Sequence, residues 1–526
     1  MGTTFSAVAY VAEDGLPRVI PSSDGEPTTP SVIWTDGRQA WVGQKAVLRK
    51  EIAPQGIVEF VKRSMGRPVA LPPSLKDDPE APVPAPFEVG GFKYGAAGMS
   101  ALILRKLKKE AVRHFQREAS LDAGTDEANL LLDAVITVPA YFGDIERQQT
   151  RLAGYAAGLH VRAIINEPTA AALAYSHAQP RRRHLMVFDL GGGTFDVTIL
   201  RTEEDGTAEV LASEGDRHLG GKDIDEVIQS YLYDAFLRAN GTEIPLGRAF
   251  EVQRHALAAK LTLTEYPEAR VQLSFPEGDL DVTLQRARPD GDTRAAYDLD
   301  VDDPTFYFED RLQSFLQRCR VLCTRALERT AFETPSGTRP MTWGDLDEIV
   351  LAGGSCRIPA VRRALMEWSG APVRQANTFD LDTAIAIGAA LYGAHRERVT
   401  DVVSHSVGVE LIDPEGRRVL DHLLKKNEPL PAHAERSYPA PANAGLKIYQ
   451  GESRRPDEAL LRGKLALGNP KGRVAVILRA DTDGTLAAEA RWDDTVRTIP
   501  IENALFDFDG RAHTLREQVL DIHINL

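Results

Sequence analysis

The chain is short of cysteine, of basic charge and of long apolar runs, and each shortage closes off a class of function. Three cysteines in 526 residues cannot build a disulfide framework, and they point to a reducing compartment. Two of them, Cys319 and Cys323, lie four apart in a helical pattern with Leu312, Phe315, Leu322, Ala326 and Leu327. They fall on its apolar face, where core packing accounts for them better than a redox pair does. Lys and Arg number 62 against 76 Asp and Glu, a net charge of −14. That argues against a nucleic-acid partner, because phosphate contacts need clustered cations. The one dense basic run, Arg181-Arg182-Arg183, sits between two patterned segments and reads as a solvated turn. No stretch is long and apolar enough to span a bilayer, and the start lacks the basic-then-apolar plan of a signal peptide. Met1-Gly2-Thr3-Thr4-Phe5-Ser6 matches a myristoylation pattern, which by itself is a weak signal. A cytoplasmic protein with no membrane partner is expected.

What is present is enough chain for two or more cores. Up to about His395, strand-like and helix-like runs alternate, the mark of an α/β domain. Beyond about Arg398 the helical period fades. Short apolar stretches at 445–450, 475–480 and 495–501 alternate with turn signals at Asp413-Pro414-Glu415-Gly416 and Asp483-Gly484, which predicts a small antiparallel β domain. The Pro-rich stretch 71–87 reads as a surface loop, and residues 514–521 as two helical turns.

The strongest local signal runs from Val187 to Leu200: two β-rich segments flank Gly191-Gly192-Gly193-Thr194. Glycines let a backbone approach a ligand and present N–H groups to an anion. No helix follows at once, so the pattern is neither a dinucleotide turn nor a Walker loop. A strand–turn–strand that holds phosphate fits better. Asp189 and Asp196 at the strand ends can hold Mg²⁺ through its waters. The plain alternative is a glycine hairpin with two solvated aspartates. A second segment, Ile349 to Pro359, joins a strand, the pair Gly353-Gly354 and a helix start, which suits either backbone approach to a nucleoside or an ordinary turn. A third runs from Ile136-Thr137-Val138-Pro139 through a helix to Asn166-Glu167-Pro168-Thr169. A carboxylate where Pro opens a helix can orient water, or can simply favour the helix start.

These segments resemble the phosphate, connecting and adenosine motifs of the heat shock protein 70 family, the DnaK-type chaperones. The resemblance extends to Val61 to Arg67, Leu219 to Asp225, Asp382 to Ala390, Asn427 to Pro431 and Ile448 to Glu452. It implies an actin-like (ribonuclease H-like) two-lobed ATPase domain over residues 1–396, a linker at 397–404, a β-sandwich peptide-binding domain at 405–503 and a short tail at 504–526 without the helical lid. It implies ATP and ADP as ligands, Mg²⁺ with K⁺ as a further ion, unfolded or extended apolar segments as clients, and a J-domain co-chaperone and a nucleotide exchange factor as partners. By that resemblance, Lys62 contacts the γ-phosphate and positions the attacking water, Glu167 lies next to that water, and Asp189, Asp196 and Thr194 complete the catalytic group. Gly2, Thr3 and Thr4 correspond to the first phosphate loop, Gly191 to Thr194 to the second, and Gly220 and Gly221 to a further phosphate contact. Gly353, Gly354, Ser355 and Arg357 would lie against ribose and adenine, with Lys260 and Thr264 on the helix that lines the base. Asp382 corresponds to a pocket residue, though it also suits a helix N-cap. Pro139 and Arg147 correspond to residues that relay nucleotide state between domains.

The sequence departs from the family in four places. The strand and aspartate that precede Gly-Thr-Thr are not in the chain, so a late start codon, or a binder with little ATP turnover, is to be expected. Leu257 and Leu261 replace a glutamate and an arginine beside adenine. The linker, Arg398 to His405, lacks the family's leucine run, and the lid is missing.

Overall fold

The computed structural model describes residues 1–50, 52–67, 87–89, 92–118, 130, 132–178, 180–289, 305–370, 373–375, 380, 382–394, 399–439, 445–467, 470, 472–499, 501, 515–520 and 522–525. The Pro-rich stretch at 71–86 and the segments 395–398 and 502–514 lie outside the described residues.

Alternation of apolar residues and long β-branched runs produces one six-stranded sheet. Its order is Val373–Gln375, Glu348–Ala352, Arg183–Leu190, Phe195–Thr202, Ala208–Asp216 and Val399–Thr400. The three consecutive strands are antiparallel, while Glu348–Ala352 joins Arg183–Leu190 in parallel, as a crossover through helices demands. Helices Gly221–Asn240, Ala249–Glu265 and Gln313–Glu328 cover one face over a large core that includes Phe188, Phe195, Leu232 and Phe236. Cys319, Cys323 and Cys356 are buried and free in this core, and burial raises their thiol pKa values. Arg181 and Arg182 are exposed, but Arg183 opens a strand and pairs with Glu348 at 2.6 Å, so the basic run is only partly a solvated turn.

The other half of the α/β region is built differently. Val8–Val11 pairs antiparallel with Pro17–Ile20, and Leu132–Val138 pairs parallel with Leu159–Asn166. Among the described residues no strand joins these two pairs. The residues of Val8–Val11 and of 132–137 line a common cavity. A further small sheet places Gln39–Val42 beside Ile33–Thr35 and helix Ala96–Arg117. Helices Glu167–Ala178 and Ala384–Ala394 cross between the halves. At their crossing a Cβ on Gly388 would lie 1.7 Å from the carbonyl oxygen of Ala170, so only glycine allows the approach.

After residue 401 the chain forms two four-stranded antiparallel sheets. One runs Arg418–Leu424, Val407–Ile412, Gly445–Gln450, Leu460–Ala466; the other Ala432–Pro439, Arg473–Ala480, Leu486–Trp492, Thr495–Ile499. Val407, Val409 and Ile448 of the first sheet share a core with Val474, Val476 and Ile499 of the second, the arrangement of a β-sandwich. The linker is not loose. Val399–Thr400 adds to the edge of the six-stranded sheet beside Ala208 and Glu209, and Val402 and Val403 are buried. No helix among the described residues is long and apolar enough to cross a membrane.

Candidate functional site

A cavity of about 1050 Å³ opens between the two halves of the α/β region. Four turns converge on it. Gly191 N–H donates to Thr194 O at 3.0 Å and closes the hairpin between Leu190 and Phe195. The start of helix Gly221–Asn240 is docked on that hairpin: Gly221 N–H donates to Gly191 O at 3.0 Å and Lys222 N–H to Gly192 O at 2.8 Å. Ser355, in the turn after Glu348–Ala352, donates its hydroxyl to the same Gly191 O at 3.0 Å. The Gly2–Thr4 turn closes the set. A Cβ on Gly192 would lie 1.7 Å from Thr4 Oγ1, so the bare backbone of the hairpin tip packs against the Thr4 side chain.

Inside this ring lies a buried charge cluster. The Lys62 ammonium pairs directly with the Glu167 carboxylate, both screened from water. Asp189 and Asp196 face each other across the hairpin as directly opposed residues. Asp196 Oδ1 accepts from Ala140 N–H at 2.9 Å, while its Oδ2 is buried without a hydrogen-bond partner, as is Thr4 Oγ1. Burial and then the Glu167 charge push the Asp189 pKa up to about 7; burial and then the Asp189 charge raise that of Asp196. The Met1 amino group is also buried here, and desolvation followed by Lys62 lowers it to about 5. Three carboxylates therefore share one lysine ammonium. A cation at the orphaned Asp196 oxygen would relieve both the missing partner and the excess negative charge, so the donor set fits a hard, oxygen-seeking ion.

The far end of the cavity is different in kind. Helix Ala249–Glu265 presents Gln253, Leu257, Lys260, Leu261 and Thr264 along one face. Leu257 and Leu261 are 43% and 58% exposed, a half-open apolar wall. Lys260 is held by Asp225 at 2.8 Å and donates to Gly221 O at 3.1 Å. Arg357 bridges Asp380 at 2.8 Å and Asp382 at 2.6 Å.

Gly2, Thr3, Thr4, Lys62, Glu167, Asp189, Gly191, Gly192, Thr194, Gly221, Lys260, Thr264, Gly353, Gly354, Ser355, Arg357 and Asp382 all line this one cavity. Gly193, Gly220 and Asp196 do not; they stand just behind it, with Gly193 O accepting from Arg63 Nε at 2.8 Å. Sequence reasoning missed Arg63, which ties the hairpin tip to Asp223 at 2.7 Å, and Asp225, the partner of Lys260. Asp223 and Asp225 sit in the first turns of helix Gly221–Asn240, but their partners Arg63 and Lys260 lie in other segments.

The second cluster of buried charge sits between the α/β region and the β-sandwich. Asp144, at the start of helix Asp144–Ala156, pairs with Arg462 at 2.5 Å, both fully buried, and accepts from Leu486 N–H at 3.0 Å. Arg147 donates to Phe142 O at 3.0 Å, to Asp483 O at 3.1 Å and to the Asn166 side chain. Asn166 donates to Asp401 at 2.8 Å, Thr169 to the same carboxylate at 3.2 Å, and Lys426 pairs with Glu214 at 3.0 Å. Burial raises the Asp401 pKa against the opposing pull of Arg147.

Residues 1–504 match the family model described as Hsp70 protein. The chain is 33% identical over 517 residues to the protein named chaperone protein DnaK of Prochlorococcus marinus (strain MIT 9515), covering 93% of this chain and 75% of that one.

Proposed function

From the premise that the chain belongs to the heat shock protein 70 family, we propose how its residues divide the work of the family's cycle. The protein is an ATP-dependent chaperone of the Hsp70 type and an ATPase. Residues 1–396 act as the actin-like nucleotide-binding domain, 397–404 as the linker and 405–503 as the domain that takes extended apolar peptide segments, with backbone hydrogen bonds supplying affinity and side-chain pockets supplying choice. ATP lies with its phosphates among Gly2–Thr4, Gly191–Thr194 and Gly220–Gly221, and its nucleoside between Gly353–Arg357 and the 253–264 face. A bound Mg²⁺ would supply charge neutralisation at the phosphates, with K⁺ as a further ion, and Asp189 and Asp196 are the residues that would hold it through water.

Phosphoryl transfer asks the protein for positioning and electrostatics rather than covalent chemistry. Lys62 orients the terminal phosphate and the attacking water, Glu167 accepts a hydrogen bond from that water, and Thr194 fixes the phosphate by its hydroxyl. Asp401, Arg147 and Pro139 carry nucleotide state toward the β-sandwich. A J-domain protein and an exchange factor fit as partners, and the cytoplasm as the compartment. The observation that supports this reading best is the convergence of four glycine turns on a cation-poor carboxylate cluster. ATP turnover measured with and without an apolar peptide tests it: peptide-stimulated hydrolysis lost in Lys62→Ala is expected, and turnover indifferent to that change would overturn it.

A further inference from the structure

Residues 515–525 were read from the sequence as part of a tail. In the folded chain they return to the α/β region and become part of it. His523–Asn525 adds a parallel strand to Gln39–Trp41, with His523 N–H donating to Arg38 O at 3.0 Å. Val519, Ile522 and Ile524 are buried in the core that holds Met99, Leu102 and Val42. Arg105 on helix Ala96–Arg117 donates from Nη1 to the carbonyls of Val519 at 2.5 Å and Ile522 at 2.8 Å, satisfying groups that a short helical turn leaves open. Arg516 lies over the Tyr155 ring at 5.1 Å. Tyr155 is near the end of helix Asp144–Ala156, whose first turn carries the Asp144–Arg462 pair to the β-sandwich.

We propose that residues 515–525 form a strap that ties the β-sandwich back onto the α/β region, so that the sandwich is tethered at both of its ends. Residues 399–404 lead into the sandwich from one sheet of the α/β region, and beyond Ile501 the described residues 515–520 and 522–525 are docked on the α/β region again. A module tethered twice samples its docking surface at a higher effective concentration than one held by a single linker. The strap therefore biases the protein toward the state in which Asp144, Arg147 and Arg151, the last paired with Asp483, hold the sandwich, and its release precedes full domain separation. The effect on client release rests on the function proposed above; the strap itself does not.

The test uses the full chain without nucleotide or peptide. Val519→Asp/Ile524→Asp is compared with the parent by small-angle scattering and by amide hydrogen exchange. A larger radius of gyration is expected, together with at least tenfold faster exchange at Leu486, whose amide is bonded to Asp144. Free exchange at 523–525 with unchanged exchange at Leu486 would overturn the proposal. Should that variant fail to fold, a protease site inserted within 502–514 and cut after folding severs the tether with the core intact; unchanged scattering after the cut overturns it equally. Because neither arm uses ATP, a strap effect in a protein without turnover would sink the chaperone cycle alone, and normal turnover without a strap effect would sink the strap alone.

Discussion

The two buried charge clusters are assembled from the same residue types yet differ in balance. In the cavity between the two halves of the α/β region three carboxylates meet one lysine. Between the domains, Asp144 meets Arg462, Arg151 meets Asp483, and Lys426 meets Glu214. An unbalanced cluster favours a ligand of the opposite sign, whereas a balanced one is a fastening. Removing a charge should therefore act in opposite directions at the two places.

The largest effect should come from the fastening. Arg462→Ala leaves Asp144 as a buried, uncompensated carboxylate, and breaking such a pair costs about 3–5 kcal/mol. Thermal unfolding should show the β-sandwich losing its docked state, with Asp144→Leu/Arg462→Met markedly less damaging than either single change. Equal damage from the double change would mean that packing rather than charge holds the joint.

At the carboxylate cluster the sign should reverse. Asp196→Asn removes a carboxyl whose charged form is penalised by burial and by the neighbouring Asp189 charge. The ligand-free protein should melt higher, while calorimetry shows Mg²⁺-dependent ATP binding weakened by about tenfold or more. A variant that melts lower would place Asp196 among the fastenings.

Acidity sharpens the contrast. Asp189 ordinarily titrates at 3.8 and in the fold at about 7, so the folded state keeps a proton that the unfolded chain gives up. Its contribution to the ligand-free protein is therefore lost as pH rises through about 7, and Mg²⁺–ATP, which must displace that proton, should bind more tightly from about pH 6 to about pH 8. The Met1 amine, lowered from 8.0 to about 5, pulls stability the other way over the range between those values. The difference between parent and Asp189→Asn isolates the aspartate; identical pH profiles would show that its proton is not the one displaced.

The smallest effect concerns the half-open wall of the cavity. Leu261→Arg would place a guanidinium beside the base, and a cation–π contact at an exposed site is worth about 0.5–1 kcal/mol. ATP affinity should rise by a few-fold with little change in turnover; no change would show that the apolar wall already serves as well.

Much of the cavity was legible because its signals are local. Asp189 and Asp196 flank one tight hairpin, so their opposition follows from a period of two and a four-residue loop. Leu257, Lys260, Leu261 and Thr264 share a helical face by spacing alone. Arg63 carries no such local signal, because its partners Gly193 and Asp223 are 130 and 160 positions away. The linker's contacts were not legible for the same reason: Val402 and Val403 are buried, and Asp401 accepts from Asn166 and Thr169, all through segments distant in sequence. The strand at 523–525 is three residues long and pairs with residues at the other end of the sequence, which leaves no period to read.

The Gly388–Ala170 crossing has a mechanical consequence. Two helices in backbone contact have no rotamers with which to absorb a shift, so a displacement of one is passed on as rotation rather than lost in repacking. Glu167 stands at the first turn of one helix and Asp382 just ahead of the other. The crossing is a bearing whose closeness is set by the absence of one methyl group, and in a Gly388→Ala protein the added carbon would force the two helices apart, and with them Glu167 and Asp382.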